Sequence, residues 1–72
     1  MVMYPVKSST IVSIGYDQAT MNMLIQFKNG LYSYMGIPEI VFKNFMAASS
    51  KGNYYANFIK GRFPAQRIDS IN

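Results

Sequence analysis

The sequence predicts a small α+β domain: a three-stranded antiparallel meander followed by two helices packed on one face. Three observations predict it. Asn29-Gly30 lies between two apolar runs, the strongest short-range signal of a tight hairpin. Upstream, Thr10 to Tyr16 is rich in β-branched residues. Downstream of Pro38, apolar residues recur at helical spacing instead of alternating.

The first strand, Thr10 to Tyr16, places Val12, Ile14 and Tyr16 on one face and Ile11, Ser13 and Gly15 on the other. Asp17-Gln18-Ala19-Thr20 is the turn into the second strand, Met21 to Lys28. There Met23, Ile25 and Phe27 alternate with Asn22, Leu24, Gln26 and Lys28. Leu31 to Met35 returns as the third strand. A two-residue type I′ turn at Asn29-Gly30 needs positive φ at both positions, and it sets Lys28 opposite Leu31, Phe27 opposite Tyr32, Gln26 opposite Ser33 and Ile25 opposite Tyr34. Tyr32 and Tyr34 then share the more apolar face. The other face, with Leu24, Leu31 and Met35 among polar residues, reads as a subunit interface or a ligand floor.

Pro38 suits the first position of a helix, where its missing N–H costs nothing. That helix runs to about Ser50, with Val41, Phe45 and Ala48 inward, Phe42 and Met46 beside them, and Glu39, Lys43 and Ser50 opposite. Gly52 supplies a left-handed residue to end it, and Asn53 caps a second helix that reaches about Lys60 and closes at Gly61. Phe63-Pro64 breaks the pattern. Ala65 to Asn72, anchored by Ile68 and Ile71, is expected to be an extended tail. The whole chain, 1–72, is one domain with its core over about 6–68, a short N-terminal arm and that tail.

With 72 residues, a monomer buries only roughly 60% of the surface of its unfolded chain, so its stability should be marginal. There is no Cys for a disulfide, and neither Cys nor His for a zinc site. Half the residues are hydrophobic and 14% are charged, which favours a homo-oligomer, a dimer or a tetramer. The net charge of +4 is spread over single Lys and Arg positions, a pattern suited to a few phosphates more than to a long duplex. Met1-Val2-Met3-Tyr4-Pro5 lacks the basic start and apolar core of a signal peptide, and no run of about 18 apolar residues could span a bilayer. A cytoplasmic protein without membrane association is expected.

Catalysis has little material. The acids Asp17, Glu39 and Asp69 are scattered, and no His or Cys accompanies them. The expectation is a non-enzyme with no cofactor and no metal site. For binding, Ser49-Ser50-Lys51-Gly52-Asn53 joins the two helices and offers hydroxyls, a glycine backbone and a cation to an anion. The alternative is a capped turn with no ligand. Ser8-Ser9 could donate to a phosphate or bond its own neighbouring backbone. Tyr32 and Tyr34 invite base stacking, but their register beside Phe27 and Ile25 favours core packing under the helix, with the phenol oxygens reaching an edge where they could bond a ligand. In the second helix Tyr55 with Ile59 is expected to pack inward, leaving Tyr54 exposed for stacking. Lys60 and Arg62 flank Gly61, where the helix dipole favours cations without a ligand. If Lys51 and Lys60 reach one anion, it must exceed a single phosphate or lie between subunits.

These segments, with Ile14-Gly15-Tyr16-Asp17, the stretch from Asn29 to Pro38, and Ala48 to Tyr55, resemble the KTSC family over about Val6 to Ile68. That family is named for the C-terminal domain of some lysyl-tRNA synthetases and also occurs as free-standing small proteins of bacteria and phages. The resemblance implies one of two ligands. The first is a cyclic oligonucleotide immune signal, held in a homo-oligomer that serves as a phage sponge in the host cytoplasm. The second is RNA. A protein-interaction module is the third reading.

Overall fold

The computed structural model describes residues 1–68. Its strands are β1 (Met3–Pro5), β2 (Ile11–Asp17), β3 (Asn22–Phe27), β4 (Gly30–Tyr34) and β5 (Ala65–Ile68). Helix α1 spans Glu39–Ala47, and α2 (Lys51–Tyr54) runs directly into a π-helical turn, Tyr55–Ile59. The strands form one antiparallel sheet in the order β1-β2-β3-β4-β5, so the expected three-stranded meander gains a strand at each edge. Sequence reasoning passes over both. Met3–Pro5 holds a proline, tolerated on an edge strand, and Ala65–Ile68 has one β-branched residue, so pairing with the open edges of β2 and β4 orders what propensity does not. Of the expected tail, 69–72 lies outside the described residues.

Ile11, Ile14, Met23, Ile25, Tyr34, Ile37, Phe45 and Ile59 are buried together as the core. The face assignment for β2 is corrected by a bulge: Ile11 pairs with Phe27 but Ser13 pairs with Gln26, so Val12 is the extra residue. Ile11 and Ile14 therefore both point inward, and Val12 is exposed.

The hairpin register is also corrected. Phe27 pairs with Gly30, Ile25 with Tyr32 and Met23 with Tyr34, so Lys28 and Asn29 form the turn. Neither they nor Gly30 has positive φ, which excludes the type I′ turn. The slip is by two residues, which preserves parity, so Tyr32 and Tyr34 keep the expected face. Gly30 serves close approach instead. A Cβ there would stand 3.0 Å from Nε of Arg67, whose Nη2 donates to the Asn29 carbonyl at 3.0 Å.

On the opposite face Leu31 is buried and Leu24 half-buried, leaving Met35 as the exposed member of the three expected interface residues. Ile68 of β5 stands directly across from Leu31, which the three-strand reading leaves without a neighbour.

Pro38 is the N-cap of α1, one position before the expected one, and its carbonyl accepts from Val41 and Phe42. The helix stops at Ala47 because Ala48 is extended. Gly52 is inside α2 and ends nothing. Ser50, not Asn53, is the cap: its Oγ accepts from the Asn53 N–H at 3.2 Å. Gly61, at φ +75°, closes the second helix as expected.

Candidate functional site

Two polar loops meet on the surface. Lys7 to Thr10, ahead of β2, and Ser49 to Asn53, between the helices, line a cleft of about 420 Å³. Ser8, Ser9, Ser49, Ser50, Lys51, Gly52 and Asn53 are thus brought together, although some 40 residues separate the two segments. Gly52 lies close to Thr10, where a Cβ would stand 3.7 Å from its Oγ1. Several of these groups are occupied by the fold. Ser8 Oγ accepts from the N–H groups of Thr10 and Ile11, at 3.2 Å each, and Ser50 Oγ holds the helix cap. Lys51 Nζ donates to the Ala48 carbonyl at 2.5 Å, which ties the last carbonyls of α1 to α2. An ammonium has three protons, so Lys51 keeps donors for a ligand. Lys7 and Ser9 are exposed at the same cleft.

A second cleft, of about 260 Å³, is lined by Phe27, Asn29, Tyr32, Tyr34 and Tyr55. Tyr34 is buried, with its hydroxyl 2.7 Å from that of Tyr55. Burial, and then this hydrogen bond, raise the Tyr34 phenol well above its ordinary value of 10.0, so it is neutral at physiological pH. Each hydroxyl carries one proton; the pair uses one and leaves the other to donate elsewhere. Phe27 meets Tyr32 and Tyr55 edge to face, at centroid distances of 5.6 and 5.1 Å. The ring of half-buried Tyr32 is therefore held against Phe27.

Tyr55 packs inward as expected, against Phe27 and Tyr34 and near buried Ile59, but Tyr54, expected to be exposed, is half-buried as well. Tyr54 stacks on Phe45 at 5.4 Å, packs against Phe58, and directs its hydroxyl to the Val41 carbonyl. The physical reason is the early helix start: with the cap at Ser50 and not Asn53, Tyr54 turns toward α1 and Tyr55 toward the sheet. Lys60 and Arg62 line neither cleft. Arg62 Nε donates to the Asn57 carbonyl at 3.0 Å, the dipole-favoured contact that needs no ligand. Lys7, Thr10, Asn29 and Tyr55 are the residues sequence reasoning misses. Nothing local marks Lys7 and Thr10, since only tertiary contact with the Ser49 to Asn53 loop makes them part of a cleft.

Among the described residues the acids have structural partners: Asp17 Oδ1 accepts from the Ala19 N–H, and Glu39 accepts from Gln18 and pairs with Lys43. Among the described residues no helix is long and apolar enough to cross a membrane.

The family model of the KTSC domain matches residues 7–63, a span that contains both polar loops and all the tyrosines around the second cleft. A crystal structure of a KTSC domain protein from Yersinia pestis is similar, with 46% identity and a TM-score of 0.91 over 93% of this chain and 96% of that one. A protein of Tsukamurella paurometabola is 39% identical over 88% of this chain and 96% of its own length. A lysine–tRNA ligase of Nostoc punctiforme is 33% identical over 86% of this chain, which spans only 11% of that enzyme. With β2 to β4, the helices and both clefts inside the residues matched, the chain belongs to the KTSC domain family.

Proposed function

We propose that the domain is a non-catalytic binding module for nucleotides, with a phosphate in the cleft between the Lys7 to Thr10 and Ser49 to Asn53 loops. One observation carries this reading: two segments distant in sequence converge to set two lysines and several hydroxyls around one cleft. Hydrogen bonds from an ammonium to phosphate are charge-assisted and roughly twice as strong as neutral ones, which suits a small site. RNA is the favoured source of that phosphate, because the domain recurs within lysine–tRNA ligases. A sponge that sequesters a cyclic oligonucleotide in a homo-oligomer uses the same groups and rests on the family resemblance alone. Self-association belongs to that second form.

Titration calorimetry with short RNAs and cyclic dinucleotides tests the proposal. Lys7→Ala should weaken binding while leaving the melting temperature of the free protein unchanged, since Lys7 is exposed. Unaltered affinity in both Lys7→Ala and Lys51→Ala would move the site elsewhere, and no binding by the wild type would leave the protein-interaction reading. Recovery of hydrolysed ligand would overturn the non-catalytic assignment. Sedimentation of a folded monomer at micromolar concentration would remove the oligomeric form.

A further inference from the structure

A third cleft, of about 400 Å³, lies between the other two and is lined by Ser9, Thr10, Phe27, Lys28 and Asn29. It shares Ser9 and Thr10 with the phosphate cleft, and Phe27 and Asn29 with the tyrosine cleft. The three therefore adjoin as one groove. Chemistry changes along it, from hydroxyls with Lys7 and Lys51, past Lys28, to the rings of Tyr32 and Tyr55. Arg67 crosses Gly30 to hold the carbonyl of Asn29, a residue that lines two of the three clefts. From the Thr10 end of β2 to Tyr32 on β4 the groove crosses two strand spacings, roughly 10 Å. That alone is about the length of one extended nucleotide, and the cleft of Lys7 and Lys51 adds to it at the Thr10 end.

We infer that the groove is built for a single-stranded oligonucleotide of at least two nucleotides, with one phosphate between Lys7 and Lys51, the next at Lys28, and a base on Tyr32 and Tyr55. This rests on the nucleotide-binding reading above and extends it to the ligand's length and path. Lys28 has the right character for the middle position. Its backbone N–H is fixed to the Thr10 carbonyl at 3.2 Å, while its side chain is exposed and forms no ion pair among the described residues. The tyrosine end supplies what sequence tolerance requires: a π-face that any base can meet, and a neutral phenol pair with one proton to donate. The cyclic form fits this path less well, because a closed ring of two nucleotides cannot extend along three clefts in line.

Calorimetry with uridine monophosphate, a linear diuridylate, a linear tetrauridylate and a cyclic dinucleotide tests the inference on wild type, Lys28→Ala and Tyr55→Phe. Expected is a gain of roughly tenfold or more from mononucleotide to dinucleotide, because a mononucleotide held by its phosphate between Lys7 and Lys51 stops short of the tyrosines and a dinucleotide brings a base onto them. Lys28→Ala should weaken the tetranucleotide several-fold, leave the mononucleotide unchanged, and make the slope of log affinity against log salt shallower by about 0.7, the value for one phosphate contact to a single strand. Tyr55→Phe keeps the ring and should weaken the oligonucleotides less than Lys28→Ala. Equal affinity for mononucleotide and tetranucleotide, or an unchanged salt slope in Lys28→Ala, would overturn the extended path while leaving nucleotide binding intact. Tighter binding of the cyclic dinucleotide than of the linear tetranucleotide would do the same in favour of the closed ligand. Binding of none would remove the parent reading and this inference together.

Discussion

Gly15 is where the fold leaves least room for one added carbon. A Cβ built there would stand 2.5 Å from Met3 Sδ, 2.8 Å from the Val2 carbonyl oxygen and 3.1 Å from Met1 Sδ. The two thioethers can swing aside, because methionine has several rotatable bonds. The Val2 carbonyl cannot move without the backbone that leads directly into β1. Gly15→Ala should therefore displace β1, whose pairing sets Met3 opposite Gly15, Tyr4 opposite Ile14 and Pro5 opposite Ser13. Inserting a methyl into a close-packed site costs about 1–3 kcal/mol. In a domain of this size that is a fall in melting temperature of roughly 5–20 °C. The stability available is about 4–11 kcal/mol, so the variant should still fold. Thermal melts followed by circular dichroism give the first readout, and hydrogen exchange gives the second, through lost protection of the Val6 N–H that donates to the Val12 carbonyl beyond β1. Met3→Ala in the Gly15→Ala background removes one thioether but not the carbonyl, so rescue should be partial. An unchanged melting temperature, or complete rescue by Met3→Ala, would refute the claim that backbone approach fixes this glycine.

Further outcomes follow from single contacts. Tyr34 has its folded pKa raised above 10.0, so its share of stability is fully present below pH 10 and is lost as pH rises through the folded value; urea midpoints should fall above pH 10, and less steeply in Tyr34→Phe. Ser50→Ala removes the N-cap of α2 and should cost about 1 kcal/mol by urea denaturation, whereas Asn53→Ala should cost less. Gly30→Ala, with negative φ and only the Arg67 side chain in the way, should cost less than about 1 kcal/mol; Gly36→Ala, at φ +75°, should cost roughly 1–2 kcal/mol although open space surrounds it, and the two melting curves together decide between crowding and backbone conformation.

The central meander, the amphipathic α1 and the stop at Gly61 were legible because each is encoded locally, by alternation, by helical spacing and by one glycine. What escaped was set by distant partners. Asn29-Gly30 reads as a type I′ turn on its own, but Arg67, 37 residues beyond Gly30, crosses the glycine and holds the Asn29 carbonyl. The bulge at Val12 has no local mark either; it follows from burying both Ile11 and Ile14 against the same helices. Edge strands β1 and β5 are chosen by the vacant edges of β2 and β4, not by their own propensity.

The same division separates the two halves of the candidate site. Ser8, Ser50 and Lys51 were conspicuous as residue types, and the fold uses all three to complete its own turns: Ser8 for the approach to β2, Ser50 for a cap, Lys51 for the end of α1. Conspicuous turn chemistry is thus partly explained by turns. Lys7 and Lys28 were inconspicuous, yet they are exposed beside the clefts and carry no ion pair among the described residues. This has a direct consequence for testing function. Lys51→Ala removes a charge-assisted bond to a carbonyl, worth about 1.5–3 kcal/mol, so lost binding in that variant confounds folding with recognition. Lys7→Ala and Lys28→Ala avoid the confusion. If the groove binds a nucleic-acid strand, those two substitutions should lower affinity and salt dependence at constant melting temperature, whereas Lys51→Ala should lower the melting temperature as well. A Lys51→Ala variant that melts with the wild type would show that its contact with Ala48 contributes nothing to stability, and would return Lys51 to the role of a pure ligand group.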